Sequence, residues 1–319
     1  MKNLIKIFSL LVLLIGLISC EEEFSPKNEF QEKYVLSCII RADTTQQIAV
    51  VTRSYDVPGY NPYSNTTDPA LDGAYIRIWY QDTVYTLTDT LVDRIDTTRY
   101  DTPVKIYKID NFQPALDSEL EIEALLNNGR RLRAFTSLPQ TFKFNYNSDS
   151  SIPGNEEDAV TIGWYTASNK MMYLPQLKVY WYRKSIGKQD IRQLEIPLDY
   201  VNSGGSEVEY YPPASKTLGI TYKMDVIDKA LRGISEGNEN KEDYYIIFAR
   251  LEVIAMDENL ASYYASTSVG GDNFSVRLDE ADFSNVQGGY GIFGSYIKKS
   301  TSISLDSDYI RSLGYKPEL

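Results

Sequence analysis

Between residues 119 and 124 the chain reads ELEIEA, with Leu120, Ile122 and Ala124 alternating against Glu119, Glu121 and Glu123. A period of two puts one face of a strand in a core and the other in water. The same period recurs along most of the chain. Over residues 34–41, Leu36, Cys38 and Ile40 share a face; residues 48–55 follow as a second strand; over 74–80, Ile76 and Ile78 stand opposite Arg77 and Trp79. Asn128-Gly129 follows the ELEIEA run, a pair that favours a tight type I′ turn, and the chain returns through Leu132 and Ala134 as a hairpin. From 82 to 110 the composition shifts to Thr, Asp and Tyr, with alternation around 84–87 and 104–109, and a long polar hairpin excursion is expected there.

The stretch NYNSDSSIPGNEED at 145–158 punctuates the pattern with turn formers and acids. It divides the chain into a first unit at 33–140, a linker at 141–158 and a second unit at 159–319. The second unit reopens with Val160, Ile162 and Trp164, continues with Leu177, Val179 and Trp181, and later carries Ile247, Ala249, Leu251, Val253 and Ala255 on one face of a long strand. Two segments have helical spacing. Residues 222–234 place Met224, Ile227, Leu231 and Ile234 on one stripe, and 258–265 is a weaker, single-turn candidate. The expectation is a mainly β chain of two units with one or two short helices.

Gly289, Gly291 and Gly294 in QGGYGIFGSY have the spacing G-x-G-x-x-G of a dinucleotide loop. Such a loop must open a helix and return to a parallel strand within about 30 residues. The segment after Gly294, SYIKKSTSISL, instead alternates as a strand. Glycines inside a β pattern mark a bulge or the close approach of another backbone, and that is the expectation here.

At the amino end, Lys2 and Lys6 precede an apolar run over 7–18, shorter than the roughly 20 residues a membrane span needs. Residues 1–19 therefore read as a signal peptide. Leu17-Ile18-Ser19-Cys20 resembles a bacterial lipobox, which makes Cys20 the lipidated first residue of the mature chain; the competing reading is an ordinary secretory signal with an incidental cysteine. Burial of about 0.8 kcal/mol per methylene makes several acyl chains a lasting anchor. Glu21-Glu22-Glu23 is either the solvated start of a tether or, by its resemblance to the acidic run of Bacteroidota lipoproteins, a surface-export signal. Residues 24–32 complete the tether.

Charge narrows the partners. The formal net charge is −12, and it grows more acidic once a leader carrying Lys2 and Lys6 is removed. Arg130, Arg131 and Arg133 form the only basic cluster, on one hairpin, so nucleic acid is not an expected partner. Histidine is absent, which excludes Ser-His-Asp, Cys-His and HExxH chemistry. With Cys20 lipidated, Cys38 is alone and shares a face with Leu36 and Ile40, so neither a disulfide nor a metal or cofactor site is expected. Paired carboxylates are able to hydrolyse glycosides without histidine, but 44 acidic residues make candidate pairs uninformative. Glu156-Glu157-Asp158 reads as a solvated run, and Asp306 with Asp308 lacks the spacing of a calcium loop.

The 26 tyrosines are the best pointer to contact, since tyrosine offers broad apolar area with a polar tip at low entropy cost. The segment SYDVPGYNPYSNTTDP at 54–69 gathers Tyr55, Tyr60 and Tyr63 and is the first candidate contact surface; Tyr210 and Tyr211 in EVEYYPP are the second. The competing reading packs these rings on their own domain.

SNVQGGYGIFGSY at 284–296 resembles the C-terminal signature of a Bacteroidota lipoprotein family known as domain of unknown function 4249, with Asn285, Gly288, Gly289, Gly291, Phe293 and Gly294 matching. The lipobox at Cys20, DGAYIRIW at 72–79, LEIEALLNNGRRLRAFTSLP at 120–139 and MDENLASYYAS at 256–266 add to the resemblance. The family implies an outer-membrane lipoprotein with an N-terminal Ig-like β-sandwich followed by a second mostly-β domain, associated with TonB-dependent transporters. It implies no catalytic residues. The functional expectation is a surface-facing binding or accessory lipoprotein beside a nutrient transporter; the alternative is a structural protein–protein interaction module of the envelope with no small ligand.

Overall fold

The computed structural model describes residues 29–57, 59, 61–156, 158–168, 170–235, 237–238, 240–267 and 283–318. Its first eight strands are β1 (Tyr34–Arg41), β2 (Gln47–Arg53), β3 (Tyr75–Tyr80), β4 (Thr83–Thr86), β5 (Thr88–Val92), β6 (Val104–Ile109), β7 (Glu119–Leu125) and β8 (Arg131–Ser137). They build two sheets in the orders β1-β2-β6-β5 and β4-β3-β7-β8. Numbering these strands A, B, C, C′, D, E, F and G gives A-B-E-D facing C′-C-F-G, the arrangement of an immunoglobulin-like sandwich. The alternating residues fill the space between: Leu36, Cys38, Ile40, Ala49 and Val51 from one sheet, Ile76, Ile78, Ile122, Ala124 and Ala134 from the other, all buried in one core. Cys38 lies within that core, and burial pushes its thiol up to about 12.

Two local expectations change. In the turn after β7 only Gly129 has a positive φ, at 81°, and its amide donates to the Leu126 carbonyl at 2.9 Å. This is a type I turn closed by a left-handed glycine, in which Asn128 keeps an ordinary φ, rather than type I′. The segment 82–110 is also not one hairpin. β4 pairs with β3 and β5 with β6, so the chain changes sheets at the buried Leu87.

The remaining strands are β9 (Phe142–Phe144), β10 (Ser151–Ile152), β11 (Ala159–Thr166), β12 (Met172–Arg183), β13 (Arg192–Ile196), β14 (Asp199–Ser203), β15 (Ser206–Tyr210), β16 (Gly219–Lys223), β17 (Tyr244–Met256), β18 (Tyr290–Leu305) and β19 (Lys316–Pro317). A sheet ordered β16-β11-β9 faces β13-β12-β17-β18, a three-on-four sandwich of the fibronectin type III kind. Trp164 on β11 packs against Tyr173 on β12 at 5.5 Å between ring centroids, and the Tyr222 hydroxyl on β16 accepts from the Leu177 amide at 3.3 Å. Helix α1 (Met224–Gly233) buries Met224, Ile227 and Leu231 as its stripe requires, but it starts two residues later than the pattern implied because Tyr222 belongs to β16. Residues 258–265 extend into a full helix, α2 (Glu258–Thr267), and a short α3 (Ser307–Ser312) follows β18. On β17 a bulge opposite Tyr180 and Trp181 shifts the inward face from Ile247 to Ile246, which is buried.

The two sandwiches share a strand. β18 begins parallel to β1, from Val35↔Tyr290 to Arg41↔Tyr296, then runs antiparallel to β17 from Met256↔Tyr296 to Ala249↔Ile303. The segment 141–158 itself carries β9 and β10, which pair with β11 and β18 of the second sandwich. Glycines admit β18. A Cβ on Gly291 would lie 2.0 Å from the Leu36 carbonyl oxygen, and its φ of 118° suits no L side chain; on Gly289 it would meet the Tyr34 carbonyl oxygen at 2.6 Å, and on Gly294 the Leu260 side chain at 2.8 Å. Side chains then fasten β18 to β8. Asn285 accepts from the Phe293 amide at 2.9 Å and donates to the carbonyls of Phe293 and Phe135. Asp257, the N-cap of α2, accepts from the Thr136 hydroxyl and from the amides of Leu260 and Ser295 at 2.9 and 3.1 Å.

Gly291→Ala should therefore cost about 2–4 kcal/mol in denaturant melts, whereas Gly233→Ala, with open space around its Cα at the end of α1, should be neutral or stabilising by up to about 1 kcal/mol. Burial raises the Asp257 carboxyl above its usual range despite its donors. The folded state thus favours its protonated form, so this group's contribution is greatest below about pH 4 and is lost as pH rises through the raised value. Asp257→Asn should remove that component, read as the difference between the two stability–pH curves.

Candidate functional site

Three loops and the incoming chain meet at one end of the first sandwich. Lys33 and Ser54 exchange two hydrogen bonds of 2.8 Å, Lys33 N to the Ser54 hydroxyl and Ser54 N to the Lys33 carbonyl, so the chain enters β1 beside the start of the β2–β3 loop. That loop and the β5–β6 turn are joined by arginines. Arg94 forms an ion pair with Asp68 and donates to the Thr102 carbonyl at 2.8 Å. The Arg99 guanidinium lies over three rings, 5.8 Å from Tyr55, 5.3 Å from Tyr63 and 5.2 Å from Tyr100, and donates to the Tyr55 hydroxyl at 2.5 Å. Tyr63 is 76% exposed. The β7–β8 turn completes this end: Asn128 donates to the Tyr34 hydroxyl at 2.8 Å and Arg130 stacks over its ring at 5.3 Å.

A cavity of about 200 Å³ opens between these parts, lined by Tyr34, Arg53, Leu71, Asp72, Asn127 and Asn128 among others. It falls below the roughly 300 Å³ at which small-molecule sites begin. What the loops offer is a broad aromatic and guanidinium surface. Such surfaces suit extended contacts, with each exposed cation–ring pair worth about 0.5–1 kcal/mol.

The expected site residues divide. Tyr55 and Tyr63 come together here, while Tyr60 and Cys20 lie outside the described residues. Tyr210 ends the β14–β15 hairpin of the second sandwich, and Tyr211 follows it. There Tyr211 donates to Glu209 at 2.7 Å, and burial together with that carboxylate raises its hydroxyl's pKa. Arg94, Arg99 and Tyr100 were not singled out by sequence, because the 82–110 segment read as a long polar hairpin excursion with no reason to prefer any of its residues. The usable signal was an Arg-Tyr pair inside a turn that must face the Tyr-rich loop.

Carboxylates serve structure. Glu123 is buried under Arg77 at 2.5 Å and Arg131 at 3.1 Å, and Asp306 caps α3 by accepting from the Tyr309 amide at 2.8 Å. Burial raises Glu195; at Glu252 burial acts the same way but is outweighed by Lys178, 2.9 Å away, and by Lys298, which hold it below its usual range. Divergent carboxyls are what acid–base chemistry uses. These two, however, stand on the outward face of the second sandwich, with the Lys178 ammonium on the strand between them. Among the described residues no three His, Cys, Asp or Glu side chains gather as metal ligands. At the far end of the second sandwich an open depression of about 470 Å³ is lined by Glu242, Tyr245, Arg311, Tyr315, Lys316 and Pro317; there Lys316 pairs with Glu242 and Arg311 with Asp308.

No family model and no curated protein matches the chain. Among solved structures, one described as DIP-gamma IG1+IG2 is similar at 9% identity over 87% of this chain and 97% of that one, with a TM-score of 0.18. The Ig-like assignment rests on the strand order given above.

Arg99→Ala should loosen the two loops, which stay linked through Arg94 and Asp68, at a local cost of about 1–2 kcal/mol. Faster limited proteolysis within 54–69, with the global unfolding midpoint little changed, is the expected readout.

Proposed function

We propose that this protein is a lipid-anchored component of a bacterial outer membrane, facing the cell surface, that works by contact rather than by transforming a substrate. The anchor is assigned from Leu17-Ile18-Ser19-Cys20 and the short apolar run before it. The observation that carries the contact role is the Arg99 surface, where one guanidinium joins tyrosines from two loops into a single exposed face. Its partner class, on the resemblance of the glycine signature, is an envelope protein such as a TonB-dependent transporter, with this chain as accessory.

The strand shared between the sandwiches favours a second reading. Two modules locked by β18 form a stiff spacer, which suits a structural interaction module with no small ligand. A ligand screen on the chain truncated before Phe24, beside crosslinking of the full chain in membranes, separates the two: a soluble ligand supports the binding role, and a protein neighbour alone supports the module.

Cys20→Ala should abolish acylation and move the protein from the membrane fraction to the soluble one. Mass spectrometry of the mature amino end and fractionation of cells check this; an unacylated mature wild-type chain would overturn the anchor.

A further inference from the structure

We propose that the loop end of the first sandwich rests on the lipid–water interface, with phosphate-bearing lipid headgroups as the partner of the Arg99–tyrosine surface. This deepens the reading above and rests on its lipid anchor.

The argument is one of length and place. The nine residues from Cys20 to Asn28 reach at most about 30 Å when fully extended. Glu32 forms an ion pair with Arg53 at 3.3 Å and Lys33 is bonded to Ser54, so the tether reaches the fold at the loop end and nowhere else. β18 runs away from that end, starting beside β1 at Tyr290, and its sixteen residues extend about 50 Å. The far end of the second sandwich, with α3 and β19, therefore lies beyond the tether's reach when the loop end faces the bilayer.

The surface presented has interfacial chemistry. Tyrosine keeps its ring at the acyl boundary and its hydroxyl among headgroups, and a guanidinium donates to phosphate while remaining stacked on rings. Tyr63 is the most exposed ring of the cluster, and Lys33 over Tyr290, at 4.8 Å, adds a further cation–ring pair at the same end. Asp68 and Asp72 on the same loop as Tyr63 are already paired with Arg94 and Lys105.

The test uses the full acylated chain in vesicles of phosphatidylethanolamine and phosphatidylcholine. Ser64→Cys places one exposed thiol beside Tyr63, and Ser312→Cys places one on α3; buried Cys38 stays unlabelled. An environment-sensitive fluorophore at 64 should shift to the blue, brighten, and be quenched by brominated lipids, while the same label at 312 stays aqueous. Adding Tyr63→Asp to the Ser64→Cys chain should reverse most of the shift. If the protein floats with vesicles but the label at 64 remains aqueous, the docking is wrong and the anchor stands. A shift that appears only when another membrane protein is present also overturns it in favour of a protein partner. Failure of the acylated chain to float removes the anchor and the docking together.

Discussion

The parallel pairing of β18 with β1 joins the end of the chain to its beginning, and the two sandwiches depend on it. Without it, β1 would be the exposed edge of a four-stranded sheet, an invitation to pairing with other chains. With it, hydrogen bonding runs from β5 in the first sandwich to β13 in the second. The pairing is admitted by missing atoms: any side chain at Gly291 would occupy the place of the Leu36 carbonyl. Such a contact between distant segments incurs a loop-closure cost that its hydrogen bonds and packing have to offset.

Polar side chains at this seam stand in for a backbone ladder between β8 and β18; the bridge that β8 makes here, Arg133↔Gln287, falls just before β18 begins. Asn285, Asp257 and the buried Ser295, whose hydroxyl donates to the Ser137 carbonyl at 2.8 Å, bind β8, α2 and β18 to one another. A buried network of this kind is stabilising only when every member is satisfied. It also explains why the carboxylate of Asp257 is tolerated there at the expense of a raised pKa. The stiffness that results gives the molecule a direction, with the incoming chain and the three loops at one end and α3 at the other.

That direction changes the meaning of the tyrosine-rich loop. Read along the chain, it is a contact surface of unknown address. In the fold it lies where the chain enters, so whatever it touches stands close to the proposed anchor. The small cavity beside it, and the stacking of Arg99 across three rings, favour a broad surface over an enclosed ligand.

Periodicity was enough for most strands, because a half-buried strand records its two faces in alternate residues: Leu36, Cys38 and Ile40 are buried as the pattern demands, and so are Met224, Ile227 and Leu231 of α1. It was also enough to read Gly289, Gly291 and Gly294 as a site of close approach rather than a phosphate loop, since the residues after them alternate as a strand. Which backbone approaches was not legible, because β1 lies some 250 residues earlier and pairing across that distance leaves no local period. The same limit hid Arg99 as the partner of Tyr55 and Tyr63, the crossing of Leu87 between sheets, and the bulge at Ile247. The sequence by itself determined most of the strands, two of the short helices and the chemistry available to this chain. Only the tertiary structure decided which strands share a sheet and which end carries the loops, because those choices are made by contacts between residues that the chain keeps far apart.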